Sequence, residues 1–180
     1  MLKKIFLMMV ILNVITFANS LSQINDFSAK VKETVIDNKN KKEKTYNLMI
    51  EYPGKAYKEM LLPQMNKGEK YIYNGDKKSI YYPLLKNTIT EKVSSEDNYI
   101  LQAIAEIKKG NKSIVLKDKE INSIVLSGGV KVVFSSYKKE GKLKFPSKVE
   151  IYQDGVLYST LTFTDVKINK GINDSYFKIN

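Results

Sequence analysis

Carboxylates are the side chains of this sequence that could carry acid–base chemistry. Glu91, Glu96 and Asp97 lie close together, and a pair of carboxylates is the usual equipment of a glycoside hydrolase. The sequence has no His and no Cys, which excludes common zinc sites, Ser-His-Asp triads and thiol nucleophiles. Ser127-Gly128-Gly129 is an isolated turn signal and not a phosphate-binding loop. Surface charge explains the carboxylates more simply, so we expect no enzyme, no metal site and no cofactor.

Lysine supplies all of the positive charge of the chain. The formal net charge is +11, and all 30 basic residues are Lys. Lys lacks the bidentate guanidinium that commonly reads phosphates and bases, so we expect no nucleic-acid partner. Most of these lysines are interpreted as a solvated surface, and attraction to anionic lipid headgroups or to an acidic protein face remains open.

The first 20 residues have the pattern of a cleavable export signal. Lys3 and Lys4 precede an apolar run from Ile5 to Ala18, and Ala18-Asn19-Ser20 offers small residues before a cut at Leu21. A membrane-spanning helix needs about 20 apolar residues, so cleavage is favoured over anchoring. We therefore expect a signal peptide at 1–20, one domain at 21–180, and a monomer in the periplasm.

The stretch Tyr71–Pro83, YIYNGDKKSIYYP, predicts a β-hairpin. Two β-rich runs flank Asn74-Gly75-Asp76, whose residue types accept the positive φ of a tight turn. Pro83 has no N–H for a ladder, so the second strand is expected to end there. Further strands are predicted at 26–36, 45–52, 56–62, 86–93, 113–116, 121–126, 130–137, 147–152, 156–168 and 176–179, with a turn at 138–144.

In one segment between the predicted strands, the apolar residues recur every three or four positions instead of every two. From Glu96 to Lys109 it predicts the one convincing helix, with Ser94 and Asp97 resembling a capping box and Gly110 closing the end. The apolar arc of this helix is wide. We therefore expect it to lie on the concave face of a strongly curved antiparallel sheet, in a mainly β fold with a helical lid.

The order of several motifs resembles the LolA-like family of periplasmic outer-membrane lipoprotein carriers. A DFSAKVKET strand is followed by YPGKAYKE, by the YIYNGDKKSIYYP hairpin, by FPSKVEIYQDG and by LTFTDVKINKGINDSYFKI. The order covers nearly the whole chain after residue 20, and its specificity comes from spacing and not from one motif. The resemblance implies an incomplete β-barrel, as in LolA and LolB, with helices lying in its mouth.

The resemblance also implies a function and partners. Members of the family hold lipoprotein acyl chains between sheet and lid and carry them from the inner to the outer membrane, between an ABC-type release complex and an outer-membrane acceptor. The best-studied branch ties its lid with an arginine just before the proline of YPGKAYKE, and Tyr52 stands at that position here. How the lid is held, and which cargo is carried, are therefore open. The residues expected to line the groove are Leu48, Ile50, Ile72, Ile80, Ile100, Ile104, Ile107, Leu161 and Phe163.

Three other functions stay open from the residues alone. The chain could carry a glycolipid or free lipid, or it could be an exported interaction domain whose sheet encloses a filled core. A hydrolase working with carboxylates alone is the third alternative. The inward face of each strand is also open, because a slip of one residue in pairing exchanges the two faces.

Overall fold

The structure is a computed structural model that describes residues 21–37, 40–94, 99–110, 113–117 and 120–178. The predicted export signal at 1–20 and residues 96–98 of the predicted helix, which include Asp97 of the predicted capping box, lie outside these residues. The described chain forms eleven strands and the helix α1, Tyr99–Lys109. The strands are β1 Asp26–Asp37, β2 Asn40–Glu51, β3 Lys55–Leu62, β4 Lys70–Asn74, β5 Lys77–Tyr82, β6 Asn87–Lys92, β7 Ile114–Lys117, β8 Glu120–Val125, β9 Lys131–Glu140, β10 Leu143–Gln153 and β11 Val156–Ile168.

All eleven strands belong to one antiparallel sheet. Its order is β6-β5-β4-β3-β2-β1-β11-β10-β9-β8-β7. The first strand of the chain, β1, therefore pairs with the last, β11, at the centre of the sheet. The sheet stays open, with β6 and β7 as its two edges. The predicted mainly β fold, an open curved sheet with one helix, is confirmed.

The register gives each strand one inner and one outer face. Val31 pairs with Tyr46 on one side and with Phe163 on the other, which places these three side chains in one row. Val31 is fully buried, whereas Lys30 and Lys32 beside it are exposed. Alternation of apolar and polar residues is thus the physical reason that this sheet has a dry side and a wet side.

Helix α1 covers the dry side of the sheet. Tyr99, Ala103 and Ile107 are its buried residues, and they join the main apolar cluster of the sheet, which includes Val31 and Leu161. Lys108 and Lys109 occupy the last helical turn, where cations favour the helix dipole. Gly110 follows with a φ of 68°, a conformation that glycine adopts without strain.

The predicted hairpin at 71–83 is confirmed. Strands β4 and β5 flank the turn Gly75-Asp76, Gly75 has a φ of 64°, and β5 ends at Tyr82, immediately before Pro83. A turn lies within the predicted range 138–144, but it is shorter than predicted, because β9 continues to Glu140 and β10 begins at Leu143, which leaves only Gly141 and Lys142 in the turn. The predicted strand at 176–179 is wrong over its described part, since Asp174–Phe177 is a short 3-10 helix.

Candidate functional site

Two adjoining cavities lie between helix α1 and the inner face of the sheet. One of about 70 Å³ is lined almost entirely by hydrocarbon and aromatic side chains and is called the apolar cavity. The other, of about 320 Å³, contains tyrosines and charged groups and is called the polar cavity. Leu48, Ile50 and Ile100 line both, so the two spaces meet beneath the start of the helix.

The helix supplies one wall of the apolar cavity. Its residues there are Ile100, Ile104 and Ile107, which are spaced at four and three and so share one helical face. The opposite wall contains a group of rings, with the Phe27 ring 5.6 Å from that of Phe163, edge to face. The remaining lining residues are Leu21, Ile24, Leu48, Ile50, Phe134, Phe145, Pro146 and Val149.

The apolar cavity is small in this conformation. A water molecule occupies about 30 Å³ in the liquid, so about 70 Å³ holds only a few groups of that size. The cavity as it stands is therefore too small for an apolar group of more than a few carbon atoms. Ile104 is only partly buried whereas its neighbour Ala103 is 1% exposed, so the helix side chains differ in how firmly they are enclosed.

The polar cavity is organised around the Glu33 carboxylate. The hydroxyl of the fully buried Ser159 donates to Glu33 Oε1 at 3.1 Å, and the Lys58 Nζ lies 4.0 Å from Glu33 Oε2. The Lys58 ammonium also lies 4.1 Å from the centroid of the Tyr46 ring and 5.4 Å from that of Tyr71. Such cation–π contacts contribute about 0.5–2 kcal/mol each, so Lys58 is held among groups that stabilise its charge.

A second carboxylate, Glu69, lies behind the wall of the polar cavity and holds two residues that line it. Glu69 is buried, and its two oxygens accept hydrogen bonds of 2.8 Å from the Asn66 amide and the Tyr71 hydroxyl. The cavity itself holds both signs of charge, on Glu33 and Lys58. It can accommodate a polar group, whereas the adjoining apolar cavity cannot do so without loss of that group's hydration.

Burial raises the pKa of two tyrosines that line the polar cavity, Tyr46 and Tyr71. For Tyr46 the pKa is raised mainly by burial and further by the nearby Glu33 carboxylate, which also bonds its hydroxyl. For Tyr71 the causes are burial and the hydrogen bond to Glu69. Both phenols therefore stay neutral well above their usual pKa of about 10 and act as hydrogen-bond donors.

The C-terminal end of helix α1 is attached to the sheet by a lysine. Lys108 Nζ donates to the Ser22 carbonyl oxygen at 2.8 Å and lies 4.5 Å from the centroid of the Tyr52 ring. Burial lowers the Lys108 pKa, because taking an ammonium out of water disfavours its charged form. Tyr52 stands where the resemblance described above places an arginine, and in this structure the ammonium of a helix lysine lies against its ring.

The structure brings together seven of the nine residues predicted to line a groove. Leu48, Ile50 and Ile100 line both cavities, Ile104, Ile107 and Phe163 line the apolar one, and Leu161 lines the polar one. Ile80 shares the inner face with Tyr71, its partner across the strand pair, but lines neither cavity. Ile72 lies on the opposite face of the sheet, where it packs with Tyr57 and Phe177, because Tyr71 and Tyr73 take the inward positions of β4.

Sequence reasoning missed the polar half of the site. Glu33 follows Phe27, Ala29 and Val31 at the same spacing of two, so the alternation that predicted β1 also turns this carboxylate inward. The sequence signal for this inward carboxylate was therefore available: Glu33 occupies a position on the same face of β1 as the buried Ala29 and Val31. Phe134, Phe145 and Val149 were missed as well, because nothing in their own strands distinguishes a cavity wall from a filled core.

Comparison with known proteins gives structural matches only. No family model matches this chain, and no curated protein matches it. A DUF1329 family protein from Desulfovibrio piger aligns with a TM-score of 0.68 at 12% identity, covering 92% of this chain and 95% of the other. A LolA superfamily protein from Nitrosomonas europaea aligns with a TM-score of 0.61 at 10% identity, covering 91% and 96%. The chain has the LolA-like fold.

A third solved structure with the LolA-like fold is a domain from Vibrio parahaemolyticus described as an outer membrane lipoprotein-sorting protein. It aligns with a TM-score of 0.64 at 12% identity, over 92% of this chain and 95% of that domain. At such identities the likeness concerns the fold. In the part of the chain that the structure describes, no helix is long and apolar enough to cross a bilayer.

Proposed function

We propose that this protein is a non-catalytic carrier that holds the acyl chain of a lipoprotein or another lipid between helix α1 and the sheet. The observation that carries this proposal is the apolar cavity, whose wall contains three helix isoleucines and a group of facing phenylalanines. Each CH₂ group removed from water gains about 0.8 kcal/mol, so an acyl chain of ordinary length binds there once the helix has moved.

The adjoining polar cavity suits the other end of such a molecule. Lys44, Lys58 and Asn66 line it together with the Glu33 carboxylate, so hydroxyl, ester or amide groups find hydrogen-bond donors and acceptors. An amphiphile then lies with its tail among Phe27 and Phe163 and its head beside Lys58.

In its specific form, the proposal is transport of lipoproteins from the inner to the outer membrane. The protein is then exported by the signal at 1–20, cut before Leu21 and active as a monomer in the periplasm, with a release complex and an outer-membrane acceptor as partners. The LolA-like fold and the motif order support this form. The alternative form is a periplasmic carrier for another lipid, and both use the same cavity.

The test is mass spectrometry of organic extracts from the protein purified from its native host. We expect acylated material in stoichiometric amount from the wild type and much less from Ile104→Asp, which places a carboxylate in the cavity wall. A lipid-free wild type that also fails to bind a fluorescent fatty acid would support the alternative of an interaction domain with a filled core. Intact mass of the recovered protein tests cleavage before Leu21 in the same preparation.

A further inference from the structure

A group of exposed apolar side chains lies at one end of the sheet, outside both cavities. Leu84 is 88% exposed, Met65 78%, Leu85 73% and Leu62 51%. Single exposed apolar residues are ordinary on protein surfaces, but a contiguous group of large ones marks an interaction site. Leu62 is the last residue of β3, Met65 lies in the loop that follows it, and Leu84 and Leu85 lie in the loop after β5. These four residues are called the apolar tip.

The two loops of the apolar tip are in contact and well ordered by hydrogen bonds. The loop after β3 and the loop after β5 lie at the same end of the sheet, because β3, β4, β5 and β6 are successive antiparallel neighbours. A Cβ on Gly68 would lie 3.5 Å from Pro83 Cγ. Gly68 N donates to the Met60 carbonyl at 2.8 Å, and Lys86 N to the Pro83 carbonyl at 3.4 Å, so the leucines project from a supported surface.

The two loops of the apolar tip carry only positive charge, and the carboxylates Glu43 and Asp37 at the same end of the sheet are paired with Lys32 and Lys42. The loops 63–68 and 83–86 carry Lys67 and Lys86 and no carboxylate. The nearest acid along the chain, Glu69, is buried and bonded to Asn66 and Tyr71. Projecting leucine and methionine side chains beside lysines are the combination that binds the surface of an anionic bilayer, with hydrocarbon entering the interface and ammonium groups facing the headgroups.

We propose that the apolar tip docks this protein reversibly onto bilayers that contain anionic lipids. Docking in this orientation would bring the polar cavity to the membrane, because Asn66 belongs to the loop of Met65 and also lines that cavity. Only this last consequence rests on the proposed carrier function. The docking itself depends on Leu84, Leu85 and Met65 and on the two lysines.

The test is co-sedimentation with vesicles of phosphatidylcholine alone and of phosphatidylcholine with phosphatidylglycerol, using the full chain after removal of residues 1–20. We expect binding to the anionic vesicles, weaker binding at higher salt because exposed charges are screened, and little binding to the neutral ones. The double variant Leu84→Asp/Leu85→Asp should lose about tenfold or more in vesicle affinity, since it removes both projecting leucines and adds charge of the wrong sign. Both positions are exposed, so circular dichroism should show an unchanged fold.

Leu116→Asp is the control. Leu116 is an exposed leucine on β7, the opposite edge strand of the sheet, and its replacement adds one negative charge, half of that added by the double variant, without touching the apolar tip. We expect the vesicle affinity of Leu116→Asp to stay within about twofold of the wild type, because a single exposed charge far from the apolar tip is largely screened by salt. Equal loss in Leu116→Asp and in the double variant would show general attraction of a protein of charge +11 and would overturn the proposal.

Two other results would also overturn it. The wild type could fail to bind either vesicle, or it could self-associate through the apolar tip, which size-exclusion chromatography of wild type and double variant at several concentrations would reveal. Fatty-acid binding in solution is measured separately and should be unchanged in the double variant. Vesicle docking without any cavity ligand would leave the apolar tip standing and remove the carrier proposal.

Discussion

Lys108 Nζ lies 4.5 Å from the centroid of the Tyr52 ring and 2.8 Å from the Ser22 carbonyl oxygen, to which it donates. The contact joins the last turn of helix α1 to the turn between β2 and β3. The lowered pKa of Lys108 shows that burial costs its ammonium some hydration. This cost offsets part of what the contact contributes, and under the proposed carrier function the contact is the one that must yield when the helix moves.

Removal of this contact should loosen the helix without unfolding the protein. We expect Lys108→Met to lose no more than about 1 kcal/mol of stability, because a single partly exposed cation–π contact contributes about that much. A fluorescent fatty acid should dissociate several times faster from the variant in stopped-flow measurements. Lys109→Met is the control, because Lys109 is exposed and its ammonium pairs with Glu106 on the same helix. Equal dissociation rates for Lys108→Met and wild type would exclude this attachment as the determinant of opening.

Substitutions at two neighbouring helix residues distinguish the hypothesis of a mobile lid from that of a filled core. Ile104 lines the apolar cavity and is partly buried, so in Ile104→Asp the helix can swing out and let the carboxylate reach water. We expect a loss of about 1–2 kcal/mol with loss of fatty-acid retention. Ala103 is packed in the main cluster, so Ala103→Asp should lose about 3 kcal/mol or more. Urea unfolding measures both, and a loss in Ile104→Asp as large as in Ala103→Asp would favour the filled core.

The raised pKa of Tyr46 predicts a pH dependence of stability. Its pKa is about 10 in the unfolded chain and higher in the folded protein, mainly because of burial and then because of Glu33. The folded state thus keeps a proton that the unfolded state loses, so the contribution of Tyr46 is complete below pH 10 and declines as the pH rises further. Urea unfolding at pH 9, 10 and 11 should show a smaller decline for Tyr46→Phe than for wild type. Identical declines would mean that Tyr46 ionises normally in the folded protein.

The outer face of the sheet carries a separate apolar contact that should affect stability alone. Phe177 of the C-terminal 3-10 helix is buried against Tyr57 and Ile72. We expect Phe177→Ala to lose about 3 kcal/mol, the usual cost of removing a buried ring, and to bind fatty acid with unchanged affinity when fully folded. A weakened affinity at full folding would show that the two faces of the sheet are coupled.

Alternation made most of the fold predictable. Val31 and its neighbours follow a period of two closely enough to fix β1, and Asn74-Gly75-Asp76 marks the β4–β5 turn by its residue chemistry. Charge was the misleading signal at 138–144, where lysines were interpreted as a loop. Lys142 lies in the turn, but Lys138, Lys139 and Lys144 lie on strands β9 and β10, where lysine is accepted because its ammonium stays in water.

The site was less predictable because it depends on which face of each strand points inward. Ile72 and Tyr71 are adjacent, and only the pairing of Tyr71 with Lys58 and of Ile72 with Tyr57 decides between them. Glu33 was passed over since a carboxylate is usually exposed, and its inward position needs Ser159 and Lys58, which are distant in sequence. The alternation of β1 indicates that Glu33 points inward, whereas only tertiary pairing shows which groups surround it there.

Photolabelling with a fatty acid that carries a diazirine at the end of its chain tests the central claim most directly. The protein is irradiated with the bound probe, digested and analysed by peptide mass spectrometry. If the acyl chain lies between helix and sheet, the labels should fall on the peptide of Ile100–Ile107 and on that of Phe145–Val149, and Ile104→Asp should abolish both. Labels confined to the outer face around Ile72 and Phe177, or a probe that labels wild type and Ile104→Asp alike, would contradict the account.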